Sequence, residues 1–172
     1  QIYAMNMTLM LRPELWNQMH AANPHGTQGF SGDPTTMPRF LFVLAGGPLV
    51  GGLWTALIAN MQYLEESVRK VLHKAGSSMA VVGAVAMAGS GALVMSKQPA
   101  EIMQKLATMP LATYGAYICI TTIVLAGVLA IVLALRSREN FGLSVLAWVV
   151  SLLAPITATL PRDGIRDAAL SK

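Results

Sequence analysis

The chain has 172 residues, of which 54% are hydrophobic and only 12% charged, and its net charge is +4. A soluble domain carries roughly 25% charged residues, so an ordinary water-facing globular surface is excluded. The basic residues are scattered between apolar runs, which fits membrane loops better than a nucleic-acid-binding face.

Residues 1–11 are apolar, but a crossing needs roughly 20 residues. They also lack the charged start of a signal peptide. They read as the end of a helix. Residues 12–22 then predict a short interfacial helix. Pro13 suits a first helical turn, Asn23-Pro24 ends it, and Trp16 belongs at headgroup depth. The segment as far as residue 37 is polar and carries His20 and His25.

The first complete span is predicted over 38–61, with Arg39 at its edge, where its long stem lets the charge reach the interface. A charged interfacial helix follows over 62–75. There Glu65 and Arg69, and Glu66 and Lys70, stand four apart in the favourable order. The pattern predicts either one long helix that runs on past the membrane surface or a span joined to an interfacial helix, and Gly76-Ser77-Ser78 then permits a turn back.

The second span is predicted over 78–95. In the next connection Pro99 marks a helix start, with Glu101 and Lys105 four apart. The third span covers 111–135 and contains the only cysteine, Cys119. One cysteine excludes an intrachain disulfide, a Cys-x-x-Cys-His haem attachment and a Cys-rich zinc site. A tight basic turn, RSRENFG, leads into the fourth span over 143–160.

Lipid leaves no partner for an open strand's backbone, so these runs must be helices, and they lack the alternation of barrel strands. The expected fold is an all-α integral membrane protein: a helical bundle of four complete transmembrane helices plus the end of a fifth. The density of Arg69, Lys70, Lys74, Arg136 and Arg138 puts the connections at 62–77 and 136–142 on the cytoplasmic side.

Small residues mark the candidate interface: Gly47 and Gly51, a GxxxG pair, with Gly83, Ala84, Ala88 and Gly91. Small side chains let helix backbones approach closely. These faces either pack together within the chain or meet partner subunits or a flat cofactor. Pro48 and Pro155 can kink their helices. The mid-membrane polar side chains are Thr55, Ser90, Thr121, Thr122 and Ser151, all able to bond their own helix. A transporter usually places an ionisable group at that depth, so an ion path within this chain is not expected.

His20 and His73 are the candidate cofactor-binding residues, placed at the membrane surface where a histidine can bond a quinone headgroup or ligate a surface haem. The plainer alternative is a pair of exposed interfacial histidines without a ligand. Trp16, Arg39 and Arg162 are the candidate surface anchors. The methionines read as flexible packing residues rather than copper ligands. AGSG at 88–91 resembles the serine motif of rhomboid-like proteases, but no later span supplies a histidine base. No Walker, His-Glu-x-x-His or dinucleotide motif occurs.

Three stretches, NMTLMLRPELW at 6–16, PRFLFVLAGG at 38–47 and RDGIRDAAL at 162–170, together resemble polytopic bacterial membrane proteins that accompany multihaem c-type cytochromes in respiratory complexes. Phe42 stands where a haem-binding relative would carry histidine. The resemblance therefore implies an anchor or quinone-proximal subunit, with haem in the partner subunits. The expected partners are other membrane subunits, c-type cytochromes and lipid, and the expected location is the bacterial inner membrane. The alternatives are a transporter or channel component, whose polar cavity other subunits would complete, and a ligand-free assembly subunit.

Overall fold

The computed structural model describes residues 5, 9–10, 13–22, 24–25, 32–60, 64–136 and 140–170. Asn23, Arg138 and most of residues 1–11, on which part of the sequence reading rests, lie outside the described residues. The elements are α1 (Pro13–Ala22), α2 (Thr36–Ile58), α3 (Glu66–Ser96), α4 (Ala100–Ala107), α5 (Pro110–Leu135), α6 (Phe141–Thr157) and α7 (Thr159–Leu170). No strand occurs among the described residues. Four helical stretches are long and apolar enough to cross a membrane: α2, α3, α5, and α6 with α7. This is the build of a multi-pass membrane protein.

α2 starts where Asp33 turns the chain. Its carboxylate accepts a 2.8 Å bond from the Thr35 N–H, and its carbonyl accepts one of 3.2 Å from the Thr36 N–H. Pro38 falls in the first turn, where its missing N–H costs nothing. α2 stops at Ile58, and the Asn60 side chain folds back to donate a 2.8 Å bond to the Ala56 carbonyl. The first helix therefore does not continue through 62–75.

Instead the chain reverses between Asn60 and Glu65, and α3 runs unbroken from Glu66 to Ser96. The expected turn at Gly76-Ser77-Ser78 is interior helix. Gly76 is there for packing: a Cβ on it would lie 2.6 Å from the Gly52 carbonyl oxygen and 2.7 Å from the Ala56 nitrogen. Ser77 keeps to the helix because its hydroxyl bonds the His73 carbonyl at 2.6 Å. The Glu66–Lys70 ion pair forms at 2.6 Å on the exposed first turns.

α2 and α3 are antiparallel and nearly backbone to backbone. Gly52 meets Gly76 and Ala80, and Leu49 meets Gly83. Such closeness is open only to residues with no side chain or a very small one. α3 packs in turn on α5, α5 on α6, and α6 back on α2. α5 buries Ala112, Gly115, Cys119, Ile123, Ala126, Ala130 and Leu133, a repeat of three and four residues that keeps one stripe inward. Asn140 opens α6 by accepting a 3.0 Å bond from the Leu143 N–H, an ordinary N-cap.

The helix does not end near residue 160. After a turn at Ala158 it goes on as α7, which lays Ile165, Ala168 and Ala169 against Ile102 and Leu106 of α4 and Ala112 of α5. This second cluster closes one end of the molecule. The larger core between the long helices is dominated by alanine, with Leu49, Leu53, Met87, Ile123 and Leu133. Bulk lies outside: Val43, Leu44, Val82, Val85, Tyr114, Tyr117, Val128 and Ile156 are exposed. A soluble protein would not present that much contiguous apolar surface, whereas lipid solvates it.

Candidate functional site

The α2–α3 reversal and the α5–α6 connection share one end of the molecule, and polar side chains join the helices there. Asn60, the residue that ends α2, donates a second bond to the Ser144 hydroxyl of α6 at 3.0 Å. Ser144 is wholly buried. One turn or two deeper, Trp54 of α2 and Trp148 of α6 meet with ring centroids 4.9 Å apart at an interplanar angle of 41°. Aromatic pairs of this geometry contribute about 0.5–1.5 kcal/mol beyond burial.

His73 makes the matching tie between α3 and α5. Its Nε2 lies 3.0 Å from the Leu133 carbonyl oxygen. A carbonyl only accepts, so Nε2 carries the proton and Nδ1 holds a lone pair in the neutral ring. Leu133 belongs to the last turn of α5, whose carbonyls have no partner further along the helix. The histidine thus satisfies a helix end. It is only 7% exposed, and its Nδ1 has no hydrogen-bond partner among the described residues.

This placement changes what His73 can do. On the sequence it stood at the membrane surface, open to a headgroup. In the fold its one N–H already serves α5, and the ring is enclosed. His20 is exposed on α1, as is Trp16, whose indole N–H donates to the Leu9 carbonyl at 2.8 Å. Arg39 sits half-buried in the first turn of α2, and Arg162 is exposed on the first turn of α7. Arg39 and Arg162 therefore share the end opposite His73. Among the described residues no group of three or more His, Cys, Asp or Glu side chains is placed to hold a metal ion.

The candidate interface divides. Gly83 is covered by Leu49, Ala84 by Gly127, and Gly91 by Phe42, all within the chain. Ala88 is exposed. Gly46, Gly47 and Gly51 on α2 have nothing within 4 Å of where a Cβ would be. The GxxxG pair therefore looks outward, while the seam inside the chain uses Gly52 and Gly76.

The mid-membrane hydroxyls bond carbonyls of their own helices, and Thr122 of α5 also reaches the Thr157 hydroxyl of α6 at 3.5 Å. Thr55 donates to the Gly51 carbonyl at 2.8 Å, Ser90 to Ala86 at 2.6 Å, Thr122 to Cys119 at 2.8 Å and Ser151 to Trp148 at 2.6 Å.

Sequence reasoning missed Asn60, Ser144 and the tryptophan pair. A usable signal existed for two of them. Asn60 is a polar residue directly after an apolar run, and Trp54 lies six residues before it, at the depth where aromatic girdles form. Comparison with known protein families, characterised proteins and solved structures gives no match for this chain.

Proposed function

We propose that this chain is an integral membrane subunit of a bacterial respiratory or electron-transfer complex, with four complete spans in the cytoplasmic membrane that anchor redox partners. The observation that carries the reading is the open face of α2, where a Cβ on Gly46, Gly47 or Gly51 would meet nothing within 4 Å. In lipid, a small-residue face is a place for another helix to approach. The nature of the partners comes from the resemblance of residues 6–16, 38–47 and 162–170 to subunits that accompany multihaem c-type cytochromes.

A holding role is also supported by the hydroxyls of the spans. Thr55, Ser90, Thr122 and Ser151 each donate to a carbonyl of their own helix, which supports a packing use for them. A quinone or lipid headgroup site, if shaped by this chain, falls to exposed surface groups such as His20 and Trp16 rather than to the enclosed His73. The same closed interior favours a ligand-free assembly subunit as the second reading, ahead of a transporter.

The test is purification in mild detergent, with mass spectrometry of the co-purifying chains and a reduced-minus-oxidised visible spectrum. Haem bands together with c-type cytochrome chains are the expected result. A solitary, colourless protein would overturn the respiratory reading. Co-purifying membrane chains without a chromophore would favour the assembly role.

A further inference from the structure

We draw no further inference here: the strongest candidate, the outward face of α2 on which a Cβ at Gly46, Gly47 or Gly51 would meet nothing within 4 Å, belongs to the membrane-subunit reading already given, and nothing in the structure shows what covers it.

Discussion

Asn60 and Ser144 join the end of α2 to the first turn of α6 through a hydrogen bond of 3.0 Å, 84 positions apart in the chain. The same amide also closes α2 by donating to Ala56. One side chain thus ends a helix and fixes the neighbour against which it ends. Between helices in a membrane such a bond averages about 0.6 kcal/mol and reaches about 1.7 kcal/mol. A double-mutant cycle with Asn60→Ala and Ser144→Ala, read by unfolding in mixed micelles, should give a coupling in that range. A coupling of zero would mean that the bond does not form in the folded protein.

His73 should behave as a donor to a helix end. His73→Ala removes the partner of the Leu133 carbonyl and is expected to cost about 1–3 kcal/mol. His73→Gln keeps a donor on a side chain of similar reach and should recover much of the loss. Nitrogen NMR of the ring gives an independent check. The expected pattern is a protonated Nε2 and a bare Nδ1, and the opposite tautomer would rule out the bond to Leu133.

The glycines of α2 should separate into two kinds. A Cβ on Gly52 would lie 2.5 Å from the Gly76 carbonyl oxygen, with backbone on both sides and no flexible atom to move. Gly52→Leu and Gly76→Leu should therefore abolish the folded monomer, seen as loss of a sharp peak in size-exclusion chromatography. Gly47→Leu meets nothing within the chain and should leave that peak intact. Under the proposed function it should instead reduce the yield of co-purifying subunits, measured against the unaltered protein.

Cys119 is buried against α6, its sulfur 3.8 Å from the Ala154 carbonyl oxygen. A maleimide should label the folded protein slowly and the denatured protein at once. Rapid labelling in the native state would show that α5 and α6 are apart at this level.

The membrane-spanning build was legible because it depends on composition over long windows. Runs such as 111–135 leave no other solution in lipid. The limits of the helices were less legible where one residue type serves two purposes. Gly76 carries the same letter whether it turns a chain or admits a neighbouring backbone, and only the presence of Gly52 opposite decides. Likewise the reversal at Asn60–Glu65 contains no glycine or proline, so local chemistry gave no stop signal. The fourth run was read as ending near residue 160, yet α7 follows α6 after the single turn residue Ala158 and carries the helical stretch to Leu170. For the candidate site, sequence showed a histidine near an interface but not its burial. Its enclosure comes from α5, sixty positions away.

The length of α3 has a consequence for the membrane that holds it. At 31 residues it reaches about 46 Å, while the hydrocarbon layer is about 30 Å thick. His73 is level with the last turn of α5, so the surplus is gathered in the turns that carry Glu66 and Lys70. Those charges act as a stop against sinking. A helix with this surplus can meet a thicker bilayer by reducing its tilt, so its length alone tolerates a range of membrane thickness.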